Sequence, residues 1–130
     1  MKDYWTERRT IRRYSDKPIP EGLLEELLSK AAHAPTTGNM QLYSVIVTRD
    51  EEGKRRLAPA HFNQPQVTGA QAVLTVCADF HRFSRWCEER QATPCYDNLQ
   101  SFMAAVFDTI AFAQQFNTLA EQAGLGVCWL

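Results

Sequence analysis

Residues 98–124, NLQSFMAAVFDTIAFAQQFNTLAEQAG, constrain this chain more than any other stretch. They read as one long helix, opened by Asp97 or Asn98 as the cap and stopped by Gly124. At 1.5 Å per residue such a helix runs about 40 Å. Leu99, Met103, Val106, Ile110 and Ala113 form one apolar line along it, and Phe102, Ala105, Phe112, Phe116 and Leu119 form another. A helix that is apolar on two sides is buried on two sides. A chain of 130 residues builds too small a core to cover both, so a partner subunit is expected against one of them.

Upstream of this helix, apolar runs alternate in character. After SDKP, the stretch IPEGLLEELLSKAAHAP predicts a helix with Pro20 in its first turn, an apolar stripe from Leu23 to Ala32, and a stop before Pro35. LYSVIVTR and AQAVLTVCAD read as strands rich in β-branched residues. Between them, DEEGKRRLA predicts a short exposed helix with Asp50 as its cap. FHRFSRWCEERQATPCYD is a partial helix followed by a loop. LGVCWL begins a third strand, and a domain ending there would leave an edge and Trp129 uncovered. The expectation is therefore one α+β domain over residues 1–130 that lacks its C-terminal part or recruits it from elsewhere.

Several function classes drop out. A net charge of −1 counts against a nucleic-acid binder, which usually carries a basic excess. No apolar run approaches the ~20 residues of a membrane span. The N-terminus lacks the apolar stretch of a secretory signal, so the expected location is cytoplasmic. The four cysteines have no metal-ligand spacing and suit reduced, buried thiols, and the three histidines are scattered, so no metal site is expected.

Against that near-neutral background, RRTIRRY concentrates four arginines within residues 8–13. In an extended segment Arg8, Thr10 and Arg12 would share a face, two planar forks about a hydroxyl, which suits a phosphate. Ile11 and Tyr14 could anchor the segment. The alternative is a solvated arm whose arginines pair with Glu7, Asp16 or the acids of residues 21–26. APTTGNMQ, residues 34–41, joins a helix end to a strand start. Its hydroxyls, glycine and free backbone N–H groups could approach a planar ligand, or could make a plain connection. Each segment taken singly leaves both readings open.

Taken together and in order, RRTIRRY, a helix, APTTGNMQ, a strand, NQ…AQAVLTVCAD and AGLGVCWL resemble the FMN-dependent nitroreductase family, most closely its flavin reductase and oxygen-insensitive nitroreductase branch. The resemblance spans essentially all 130 residues and only the N-terminal part of that family's domain. It implies a three-layer α+β sandwich, a mixed central sheet flanked by helices, with the long helix at a homodimer interface.

The same resemblance implies that FMN is the cofactor, that NAD(P)H is the donor, and that the acceptor is a nitroaromatic, a quinone or a similar small molecule. Arg8 and Thr10 match positions that grip the FMN phosphate, Arg9 a flavin-contacting neighbour, and Arg12 a cation near the pyrimidine edge of the ring. Pro35, Thr36, Thr37, Gly38 and Asn39 match the segment that covers the flavin from the partner subunit. Gln64 matches an amide reading the uracil-like edge, and Trp129 and Leu130 match a strand end passing the ring. No protein group is implied as the catalyst, since the cofactor carries the chemistry. Arg82, Arg85 and Trp86 lie where selectivity usually varies, though an exposed amphipathic helix accounts for them as well. A non-enzymatic flavin or nucleotide binder on the same fold is the alternative function.

Overall fold

The computed structural model of the chain describes residues 3–130. In order it contains α1 (Tyr4–Glu7), α2 (Leu23–Ala31), β1 (Tyr43–Thr48), α3 (Glu51–Leu57), α4 (Pro65–Gly69), β2 (Val73–Ala78), α5 (His81–Glu89) and α6 (Leu99–Gln122). The boundaries follow from local chemistry. The Asp50 carboxylate accepts the Gly53 N–H at the start of α3, and the Asn98 side chain accepts the Ser101 N–H at the start of α6. At the other end of α6, Gly124 takes a φ of 84°, and Leu125 N–H returns to the Ala120 carbonyl at 2.9 Å. Only glycine adopts that backbone without strain.

Helix α2 begins one turn later than its sequence predicts. Gly22, at φ 76°, is its N-terminal boundary, and Pro20 lies in the preceding turn, where its carbonyl accepts the Leu23 N–H. A left-handed residue cannot sit inside a right-handed helix, so the glycine, not the proline, sets the start.

Helix α6 packs against α2 and both strands. The core joins Leu24, Leu27 and Ala31 of α2, Tyr43 of β1, and Phe112, Phe116 and Ala120 of α6, with Tyr43 stacked on Phe112 at 4.4 Å between ring centres. The opposite face of α6 is bare: Leu99 is 75% exposed and Phe102 59%, and Met103, Phe107 and Ile110 are exposed beside them. Of the two apolar lines in the sequence, the first lies on the open side. Of the second, Ala105, Phe112 and Phe116 are buried and Leu119 is half-buried, with Phe102 left outside.

β1 and β2 pair antiparallel, Tyr43 opposite Ala78 and Thr48 opposite Val73. They form a two-stranded sheet, and no parallel pair occurs among the described residues. The third strand expected at 125–130 does not form among them. A strand exists only through its ladder, and apart from the Leu125 bond that closes α6 one backbone bond is made here among the described residues, Ile11 N–H to the Val127 carbonyl at 3.0 Å.

Lys54 shows how the smaller helices are held. Its side chain is buried, yet its ammonium donates to the carbonyls of Thr68 (3.3 Å) and Ala70 (2.8 Å) and pairs with Glu51 at 2.6 Å. That ties α3 to the end of α4. Lys54→Met keeps the stem but leaves those carbonyls without a donor, so stability should fall by roughly 1–3 kcal/mol. Urea unfolding checks it: the midpoint should drop at an unchanged slope.

Candidate functional site

The arginine segment is held from α6. Glu121, whose side chain is 9% exposed, receives Arg8 through Nη2 at 3.0 Å and Nε at 3.1 Å, the Tyr4 hydroxyl at 2.6 Å and the Asn117 amide at 2.8 Å. Asn117, itself buried, accepts the Trp129 indole N–H at 3.1 Å. One carboxylate thus gathers α1, the arginine segment and the C-terminal segment onto a single helical turn. Burial pushes the Glu121 carboxyl up, but the hydrogen bonds from Arg8, Tyr4 and Asn117 and the Arg8 charge outweigh it, and the net is below the ordinary carboxylate value.

The four arginines therefore do different things. Arg8 pairs with an acid, as the solvated-arm reading requires, though with one 113 residues away that no local pattern pointed to. Arg9 donates to the carbonyls of Thr6, Glu7 and Arg8, closing the end of α1. Thr10, Arg12 and Arg13 are exposed, and their side chains have no partner among the described residues. Ile11 anchors the segment through its backbone and by lying over Gly126, where an added Cβ would come within 2.8 Å of its Cγ2. Tyr14 is half-buried. A cleft of about 1100 Å³ between α2, α6 and β2 is lined by Arg8, Arg9, Ile11, Arg13, Trp129 and Leu130, among others. Thr10 and Arg12 do not line it.

The loop after α2 is built just as tightly. Asp108, on α6 and 2% exposed, accepts the Thr37 N–H at 2.8 Å, the Thr37 hydroxyl at 3.0 Å and the Leu42 N–H at 3.3 Å. Asn39 N–H reaches the Thr36 carbonyl, Met40 N–H the Thr37 carbonyl, and Gln41 N–H the Thr36 hydroxyl. Of the free N–H groups expected of this loop, those of Thr37 and Asn39 are thereby engaged; the Thr36 and Gly38 N–H groups have no acceptor among the described residues. Gly38 and Asn39 are both left-handed, at φ 55° and 56°, a conformation that glycine and asparagine tolerate best.

The remaining candidates stand apart. Gln64 precedes α4 and receives the Gln66 amide at 2.6 Å, outside the cleft. Arg82 donates to the Gln41 carbonyl, Arg85 pairs with Glu88 at 3.1 Å, and Trp86 stacks on Phe83 with Arg90 at 5.7 Å from its ring. These are the local contacts of an exposed helix, with Arg82 also bracing the end of the loop. No group of three or more His, Cys, Asp or Glu side chains among the described residues is placed to hold a metal, and no helix among them is long and apolar enough to cross a membrane.

Within one chain the two main candidate segments do not meet. Arg8 is fixed at Glu121 and Thr37 at Asp108, thirteen residues earlier on α6, which puts their anchors roughly 20 Å apart along the helix. Trp129 and Leu130 join the arginine segment, while residues 35–39 lie toward the other end of α6.

The nitroreductase family model matches residues 5–130. This chain belongs to the nitroreductase family. It is 32% identical over 124 residues to an FMN reductase (NADPH) of Bacillus subtilis, covering 94% of this chain and 50% of that one. It is 30% identical over 130 residues to a Cr(VI) reductase of Pseudomonas sp., covering 100% and 54%. The solved NfrA1 nitroreductase of B. subtilis superposes with a TM-score of 0.89 at 31% identity over 95% of this chain and 51% of that one. A crystal structure from Bacteroides fragilis, described as an oxidoreductase, gives 0.94 at 57% identity over 98% and 52%. The α+β fold is thus the nitroreductase fold, and the chain spans about half the length of the curated relatives it matches.

Sequence reading missed the two residues that position these segments in this nitroreductase-family chain, Glu121 and Asp108. The available signal for Asp108 was a lone carboxylate amid apolar helix. Because the folded Glu121 carboxyl titrates below its unfolded value, its stabilisation is complete above the ordinary carboxylate range and is lost as pH falls through the depressed pKa. The stability difference between the wild-type chain and Glu121→Gln should therefore shrink as pH is lowered from neutrality toward about 3. Urea titrations of both at matched pH would measure it, and a pH-independent difference would refute it.

Proposed function

We propose that this protein is a cytoplasmic FMN-dependent oxidoreductase that takes hydride from NAD(P)H and passes two electrons to a nitroaromatic, a quinone or a similar acceptor. Family membership and the names of the relatives support this reading. The observation that carries it is the division of labour in residues 8–13. Glu121 uses Arg8 to hold the segment in place, which leaves Thr10 and Arg12 exposed and without a side-chain partner among the described residues. A hydroxyl and a guanidinium without a protein acid are a donor set suited to a phosphate or to the anionic edge of a reduced ring.

When bound, FMN supplies the two-electron hydride chemistry. The protein's own part is to bind, orient and shield it. Thr10 and Arg12, with Arg8 and Arg9 behind them, would hold the phosphate and the pyrimidine edge. Gln64 would offer its amide to the uracil-like edge, and Trp129 and Leu130 would pass beside the ring. Pro35, Thr36, Thr37, Gly38 and Asn39 would close over it from a second copy of the chain. That last assignment follows from the roughly 20 Å between the two anchors on α6 and from the bare apolar face of α6, which a homodimer would cover. Four free thiols among the described residues accord with a reducing compartment.

FMN titration of the apoprotein, followed by fluorescence, tests the reading. Arg12→Ala should weaken binding by roughly 1.5–3 kcal/mol, the worth of a charge-assisted contact; unchanged affinity would return the cluster to a solvated arm. The composite site has its own test. A mixed dimer of an Arg12→Ala chain and a Thr36→Ala/Asn39→Ala chain should recover wild-type FMN affinity in one of its two sites. Recovery in neither would exclude a site shared between copies.

A further inference from the structure

We infer that Asp108 is a positioning residue for FMN binding, and that its grip on Thr37 and Leu42 fixes which amide of the covering loop is presented to the flavin. This rests on the proposal that residues 35–39 cover the flavin. Asp108 faces no Lys or Arg within ion-pair distance among the described residues, and its charge is met by three neutral donors, all from one loop. A buried carboxylate with such partners is a costly way to hold a helix in a core, and an apolar side chain would serve packing at least as well.

What it does instead is local. Both of its oxygens are used, one at each end of the loop: Oδ1 holds Thr37 and Oδ2 holds Leu42. Between those two points lie Gly38, Asn39 and Gln41, all left-handed, at φ 55°, 56° and 53°. Two of the three are not glycine, so this path is sparsely populated unless both ends are held. With the ends pinned, the amides of residues 37 and 39–42 have acceptors inside the loop or on Asp108, and between the two pinned points only Gly38 keeps an N–H without an acceptor among the described residues; Thr36, before the first of them, keeps the other. The carboxylate occupies the amides at the two ends, and the turn it holds engages those of residues 39–41, which leaves the Gly38 amide to be presented.

Asp108→Asn is the test, because its amide nitrogen would oppose a loop N–H that the carboxylate accepts. FMN titration of the full chain and circular dichroism of the bound flavin should be measured alongside the thermal midpoint. Affinity should fall about tenfold, the equivalent of one misplaced hydrogen bond, and the flavin dichroism should change. Should that variant fail to fold, Thr37→Val removes only the hydroxyl bond to Asp108 and should weaken binding in the same direction. Asn39→Ala, on the loop but not bonded to Asp108, checks the underlying proposal. A lowered midpoint with FMN affinity and dichroism unchanged, while Asn39→Ala weakens binding, would reduce Asp108 to a structural role. If Asn39→Ala leaves binding unchanged as well, residues 35–39 do not cover the flavin, and the inference falls with that reading.

Discussion

Two carboxylates on one helix, Asp108 buried and Glu121 half-buried, organise the two main candidate segments of this chain. Asp108 and Glu121 are both largely withdrawn from solvent, and a carboxylate so placed stays charged only where donors meet it. Each draws a separate segment of irregular chain onto the helix: Glu121 takes Tyr4 and Arg8 and, through Asn117, Trp129, and Asp108 takes Thr37 and Leu42. The loops carry the candidate ligands, while the helix carries the geometry. Regular structure supplies precision that loops lack, which is why the anchors lie on α6 and the donors do not.

The same helix is amphiphilic in an unusual sense. One face joins α2 and the sheet in a core that includes Tyr43, Phe112 and Phe116, and the other presents Leu99, Phe102, Phe107 and Ile110 to solvent. An apolar face of that extent on a rigid rod is a surface made to be covered. It lies on the helix that also separates the two anchored segments. One element thus sets both the roughly 20 Å between the two anchors and the bare apolar face that the proposed homodimer would cover.

Much was legible from residues alone because it depends on neighbours in sequence. Asp50 and Asn98 cap their helices because a side-chain oxygen two or three residues from an unpaired N–H needs no tertiary help. Gly124 ends α6 for an equally local reason. Where a local rule competed with another, the reading slipped: Pro20 suits a helix start, but left-handed Gly22 overrides it. Where an element needed a distant partner, pattern was insufficient. LGVCWL has the composition of a strand, yet pairing is not a property of one segment, and Val127 bonds only to Ile11.

What the sequence by itself determined was helices α2, α3, α5 and α6 and the two paired strands, though not the short α1 and α4, together with the two-sided apolarity of α6 and the order of motifs that identifies the family. These are periodicities, caps and short motifs, written within a few residues of one another. The tertiary structure alone decided the use of each arginine and of each loop amide. Arg8 and Arg12 are the same residue type four positions apart, but one meets Glu121 across 113 residues and the other meets no acid among the described residues. Thr37 and Gly38 are adjacent, but Asp108 claims the N–H of one and not of the other. Charge and hydrogen-bonding capacity are fixed by composition; whether they are satisfied depends on what the fold brings within 3 Å, and no local pattern encodes that.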